Sequence, residues 1–380
     1  MLDSDGRVIL SPGPVHVPPE SFGDLPLLHH RCDDFRRIVT ETELMLREFL
    51  GTVSPVYLIT ASGTGAMEAA VANVASSDSR ALVVSGGKFG DRWVELFGVY
   101  ECRTDCMRFP DGSAIDLGSV VERVERTRPE LLVLTHVESS TGLLLPLREL
   151  LRNLPEQRPI VIVDAISSFG VEELEMGRWG IDIVVGASQK ALLAPPGVSF
   201  ICMGGRAFEF ARKRRRHLYY FDLGKYEAGR ERGDAPFTPA IQTIQLVHRS
   251  LSMFKDIGFK SVMERHRRVS TAFLSAAKHL SLTSFSAAPS SSVQVLVTPP
   301  GCEVVDLPAK LAQAGFIVAG GQGELTGKVI RTGFLGAFGS DILLRFVIEL
   351  GRILEREGCR VDMAAAENAV RTGVYESYPF

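Results

Sequence analysis

With 380 residues, 45% of them hydrophobic and 23% charged, and a formal charge of −3, the chain has the makeup of a globular protein larger than one small core. That balance gives no reason to expect nucleic acid or a membrane surface as partner, and no apolar run approaches the roughly 20 residues a bilayer span requires. Six scattered cysteines without a CxxC or a His-rich cluster argue against a disulfide framework and a metal site. Together with a start lacking signal-peptide order, they point to a soluble cytoplasmic protein.

In chain order, β-rich runs alternate with helical patterns. Val56 to Thr60, Ala81 to Ser85, Leu131 to Val137, Ile160 to Asp164, Ile181 to Gly186 and Val198 to Met203 read as strands, most of them apolar on both faces. Such strands belong in a mostly parallel sheet covered on both sides. Gly65 to Ala75 and Asp116 to Arg126 carry apolar residues at helical spacing and serve as crossovers, which gives an α/β architecture. After about Lys255 the pattern becomes a charged helix (Val262 to Leu280), a strand (Val293 to Thr298), a helix (Leu307 to Ala314) and a terminal helix from Asp341. The expectation is a large domain over residues 1–255, N-terminal arm included, and a smaller α+β domain over 256–380. No internal repeat or low-complexity tract interrupts it.

Several strands end in polar clusters. Thr60-Ala61-Ser62-Gly63-Thr64-Gly65 follows a strand and opens a helix, where free N–H groups and the helix dipole favour an anion such as phosphate; a plain N-cap explains the same residues. Gly86-Gly87-Lys88-Phe89-Gly90 and Thr135-His136-Val137-Glu138-Ser139-Ser140 also follow strands. Phe89 fits a core aromatic as well as a ligand-stacking ring. Asp164 ends Val161-Ile162-Val163, and Lys190 follows Ala187-Ser188-Gln189. A lysine can hold a cofactor aldehyde as a Schiff base, and an aspartate can keep a pyridine nitrogen protonated. Because ligands of open α/β sheets bind outside the carboxyl ends of the strands, Ser62, Phe89, Ser139, Asp164 and Lys190 are expected on one rim. Neither a Walker loop nor a dinucleotide fingerprint is present.

These motifs, with Ser11-Pro12-Gly13-Pro14, Ala194-Pro195-Pro196-Gly197, Gly320-Gly321-Gln322-Gly323 and Arg331-Thr332-Gly333, make nearly the whole chain resemble the class V aminotransferases of fold type I, in the alanine-glyoxylate and serine-glyoxylate branch. The resemblance implies a large domain with a seven-stranded, mostly parallel sheet, and pyridoxal phosphate as cofactor. It implies Lys190 as the Schiff-base lysine, Asp164 at the pyridine nitrogen and Phe89 stacked on the ring. Ser62, Gly63 and Thr64 with Gln189 would hold the phosphate, Ser139 the ring substituents, and Arg331 the substrate carboxylate. The amino group would pass from a small amino acid such as alanine or serine to a 2-oxo acid such as glyoxylate or pyruvate, by a ping-pong mechanism.

Where the branch commonly has Tyr-x-x-Thr reaching the phosphate from a neighbouring subunit, this chain has Ala235-Pro236-Phe237-Thr238. Thr238 is kept and implies a homodimer with shared sites; the tyrosine is absent, and Arg230 or Arg232 could compensate. Arg331 follows an apolar run, where an anion or a structural salt bridge explains it equally. Other reactions of the same cofactor stay open: a specialised amine transaminase, a lyase, or a desulfurase, which needs a mobile cysteine. So does a non-catalytic accessory subunit. The basic run Arg212 to Arg216 reads as a solvated helix face.

Overall fold

The computed structural model describes residues 6–17, 23, 25–214, 218–298 and 306–374. Its centre is a seven-stranded sheet of β1 (Val56–Ile59), β2 (Arg80–Ser85), β3 (Arg103–Arg108), β4 (Leu131–Thr135), β5 (Ile160–Asp164), β6 (Ile183–Ala187) and β7 (Ser199–Met203). Their order is β1-β7-β6-β5-β4-β2-β3. Neighbours from β6 to β3 pair in parallel, whereas β7 runs antiparallel to both β6 and β1. This is the mostly parallel sheet that the apolar strands lead one to expect, with the seven strands that the resemblance implies.

Strand alternation sorts the side chains into two layers. Val161 and Val163 of β5 pack with Leu132, Leu134, Val184 and Phe200 on one face. Ile160 and Ile162 pack on the other with Val133, Val185, Met67, Trp93 and Phe97. Each buried Val or Ile contributes roughly 1.5–3 kcal/mol, so a shift of one residue in register would cost several such burials. Asp164 continues the row of Ile160 and Ile162, and its side chain therefore emerges on the Trp93 layer.

Strand ends differ from expectation by one or two residues. β3 was not expected at all: Arg-Thr-Asp-Cys-Met-Arg is a polar edge strand, paired on one side only, and has no apolar run to betray it. The helices Gly63–Val74 and Leu117–Thr127 start on side-chain caps, Ser62 accepting from the Gly65 N–H and Asp116 from those of Gly118 and Ser119.

Towards the C terminus, β8 (Thr283–Ser284), β9 (Val293–Val297), β10 (Ala319–Gly320) and β11 (Ile330–Gly333) form an antiparallel sheet in the order β8-β9-β11-β10. The helices Phe259–His279, Ser340–Arg356 and Met363–Gly373 share a core there with Phe273, Phe316, Phe334 and Phe346. Residue 255 falls within the last turn of the helix Ile241–Ile257. A short strand, Val8–Ile9, pairs in parallel with Phe316–Ile317, so the N-terminal segment joins the C-terminal layer.

Arg212 pairs with Glu209, and Arg214 with Glu130 while lying over the Phe210 ring; Arg215 and Arg216 lie outside the described residues. Cys32, Cys102, Cys106 and Cys202 are free thiols, Cys359 is disulfide-bonded, and Cys302 lies outside the described residues. Among the described residues no helix is long and apolar enough to cross a membrane.

Candidate active site

The carboxyl ends of β1, β2, β4, β5 and β6 open on one rim, because these strands share a direction. Ser62, Phe89, Ser139, Asp164 and Lys190 each lie at or just beyond one of those ends. At the centre are Asp164 and Lys190. Asp164 is buried; its Oδ1 accepts the Ile166 N–H at 2.9 Å and its Oδ2 the indole N–H of Trp93 at 3.3 Å. Lys190 Nζ donates to the Pro12 carbonyl at 2.6 Å.

Burial opposes both charges. It pushes the Asp164 carboxyl up to about 6, against the Ile166 and Trp93 hydrogen bonds and the fields of Lys190 and Arg92. It lowers the Lys190 amine to about 8, Asp164 resisting and Arg331 assisting. Only a neutral amine attacks an aldehyde. Capture of free pyridoxal phosphate by the cofactor-free protein should therefore accelerate as pH rises through about 8. Stopped-flow absorbance after mixing gives that midpoint; a value near the ordinary 10.5 would contradict the buried amine.

Phe89 lies in the first turn of the helix Lys88–Val99, whose N-terminus is anchored by Glu138. The buried Glu138 Oε2 accepts the N–H groups of Phe89 at 3.0 Å and Gly90 at 2.9 Å, and Oε1 accepts the Ser140 N–H and hydroxyl. A carboxylate at a helix N-terminus also meets the favourable end of the dipole. Gly87 lets it approach, since a Cβ there would sit 2.5 Å from Ser140 Oγ and 2.7 Å from Glu138 Cγ. One turn along the helix, Arg92 lies 4.7 Å over the Phe89 ring and donates to Thr64 Oγ1 at 3.1 Å. Thr64 and Gly63 open the helix Gly63–Val74 beside the exposed Ser62, whose hydroxyl serves here as the N-cap.

Arg331 lies on β11, only 6% exposed. Its Nε donates to the Gly320 carbonyl at 2.8 Å and its Nη1 to the Ser139 carbonyl at 3.0 Å. Among the described residues Nη2 has no hydrogen-bond partner and the guanidinium no ion pair. Burial lowers its pKa, and the field of Glu138 opposes this. A structural salt bridge therefore does not account for this arginine; a buried guanidinium with a free edge suits an incoming carboxylate.

The N-terminal segment ties the two halves of the site together. The Val15 N–H donates to the Gln189 carbonyl at 3.2 Å, and the Gly333 N–H to the Leu10 carbonyl at 2.8 Å. Gly333 permits this crossing, because a Cβ there would meet Ser11 O at 2.7 Å and Pro12 Cα at 2.8 Å.

The residues fit the implied cofactor. Ser62, Gly63 and Thr64 offer a phosphate the N–H groups of a helix N-terminus, and Gln189, next to Lys190, has no partner for its Oε1 among the described residues, so its amide can turn to present the NH2, the half that can donate to a phosphate. Thr238 is exposed, on the segment whose Ala240 N–H donates to Thr60 Oγ1. Arg230 is not free to replace the missing tyrosine: its guanidinium grips Glu227 at 2.9 and 2.7 Å, and Arg232 is exposed. The arginine that does reach the cradle is Arg92. Sequence reasoning assigned no role to Arg92, Trp93 or Glu138. Their signals were the one-turn spacing from Phe89 to Trp93 and an acid at a strand end.

The family model for class V aminotransferases matches residues 26–331. The chain is 31% identical to a protein named soluble hydrogenase, small subunit, from Synechococcus sp., over 93% of this chain and 94% of that one. It is 30% identical to the alanine–glyoxylate aminotransferase of Callithrix jacchus, over 87% and 83%. Its structure superposes on ureidoglycine–glyoxylate aminotransferase from Bacillus subtilis with a TM-score of 0.91 at 26% identity, covering 97% of both chains.

Proposed function

The chain belongs to the class V aminotransferases, which are pyridoxal phosphate-dependent transaminases, and from that premise we propose that it moves the amino group of a small amino acid, of the alanine or serine type, to a small 2-oxo acid of the glyoxylate or pyruvate type. The observation that carries this reading is the free edge of Arg331 within the same rim as Lys190 and Asp164. When bound, the cofactor supplies an electron-accepting ring that takes the electron pair left by the breaking Cα–H bond. Lys190 Nζ would hold the cofactor aldehyde and, once released by the donor amine, would act as general base, taking the proton from Cα and passing it to the cofactor rather than back to Cα. Arg331 grips the donor carboxylate and fixes the Cα–H direction. Asp164 would keep the proton on the ring nitrogen; Phe89 would stack on the ring, and Ser139 would contact the ring substituents. Ser62, Gly63, Thr64 and Gln189 would hold the phosphate.

We further propose a cytoplasmic homodimer in which Thr238 of the partner subunit completes that cradle. The exposure of Thr238 and of Leu27 (88%), Val53 (86%) and Tyr219 (74%) supports a surface made to be covered. The hydrogenase-subunit names of relatives such as the Synechococcus protein support the alternative of a non-catalytic accessory subunit. A panel of donors (alanine, serine, glycine, aspartate) against glyoxylate and pyruvate, with products read by chromatography, decides between the two. Turnover with a small neutral donor is expected; no turnover with any pair would overturn the reading.

A further inference from the structure

Asp164 has few ways to stay charged. Its carboxyl is buried, and among the described residues two donors reach it: the Ile166 N–H on Oδ1 and the Trp93 indole N–H on Oδ2. The charged groups that face it come from three elements. Lys190, from the turn after β6, and Arg92, from the helix Lys88–Val99, favour its anion; Glu138, from the segment that follows β4, opposes it. His136 donates its backbone N–H to the Asp164 carbonyl, and burial lowers its imidazole to about 3, so it carries no charge there.

Trp93 is fully buried, and its indole N–H bonds to Asp164. An indole N–H can only donate, so the interaction is strongest when the acceptor is an anion. The ring is part of the buried cluster that also holds Met67, Phe97, Val133 and Ile162, in the layer beneath the rim. Phe89 lies one turn earlier on the same helix, and Glu138 fixes the start of that helix. One rigid element thus carries both the ring-stacking residue and the donor to the acid.

We propose that Trp93 is a positioning residue: its indole N–H keeps Asp164 ionised and holds its carboxylate in the orientation that meets the cofactor's ring nitrogen. This rests on the reading of Asp164 as the ring-nitrogen partner. Ile166 alone would leave Oδ2 free to rotate or to take a proton. A hydrogen bond to a charged acceptor changes such an equilibrium by about 10-fold or more.

The chain has two tryptophans, so Trp179→Phe leaves Trp93 as the only emitter. In the cofactor-free protein the emission should titrate with a midpoint near 6, and Asp164→Asn should abolish that transition. A flat emission between pH 4 and 8 would overturn the proposal. In the holoenzyme, Trp93→Phe keeps an aromatic ring and removes the donor. The acidic limb of its kcat profile should move up by about one pH unit, the equivalent of a 10-fold gain in proton affinity. A profile superposable on the unmodified enzyme's would also overturn it. Should Trp93→Phe fail to fold, the emission titration decides alone. Emission that titrates in a protein without transaminase turnover would separate the Trp93–Asp164 hydrogen bond from the functional reading, which would then fail by itself.

Discussion

Lys190→Ala should fold normally, bind no cofactor covalently, and lower kcat by roughly 10⁴-fold or more. Two functions disappear together. The variant lacks the amine that holds the aldehyde, and it lacks the base that moves the Cα proton, a contribution of about 10²–10⁴-fold by itself. The fold has little reason to suffer. Burial holds the Lys190 amine at about 8, well under the ordinary lysine value, which means that the interior favours its neutral form. Among the described residues the substitution removes one hydrogen bond, from Nζ to the Pro12 carbonyl. The checks are the visible absorbance of the lysine-bound cofactor, the thermal midpoint and kcat. Retained absorbance or turnover would remove Lys190 from its role.

Arg331→Lys should reduce kcat/KM for carboxylate-bearing donors by about 10- to 150-fold, the range set by losing a hydrogen bond to a charged group at about 1.5–3 kcal/mol. A lysine keeps the charge but loses the planar fork. The native Nε and Nη1 are spent on the Gly320 and Ser139 carbonyls, which leaves Nη2 for the substrate. One ammonium cannot satisfy both carbonyls and a carboxylate in that geometry. Cofactor loading should be unchanged, and a donor amine lacking a carboxylate should lose far less. An equal loss for both donor types would mean that Arg331 supports the fold and not the substrate.

How much of this was legible in the sequence depended on the type of signal. β5 and β4 announced themselves through five consecutive buried residues each, and their polar ends marked the rim. Asp164 and Lys190 were readable because a charge following an apolar strand is costly unless it has a task. β3 was hidden because an edge strand exposes one side and carries Arg, Thr and Asp like any loop. The helix Met363–Gly373 was missed as a separate element, being short and largely alanine and polar residues. Trp93 drew no reading in the sequence; it is a core residue, and only the fold shows that its one polar side-chain atom points at Asp164. Arg230 is held by Glu227, three residues earlier on the same helix, a partner that helical spacing could have singled out.

The central claim is that one rim performs two half-reactions with the same lysine. The most direct measurement mixes the holoenzyme with one amino donor and no acceptor, and counts the 2-oxo acid released per site. Release of one equivalent, followed by further turnover only when glyoxylate or pyruvate is added, is the predicted result. Continuous release without an acceptor, or no release with any small amino acid, would contradict it.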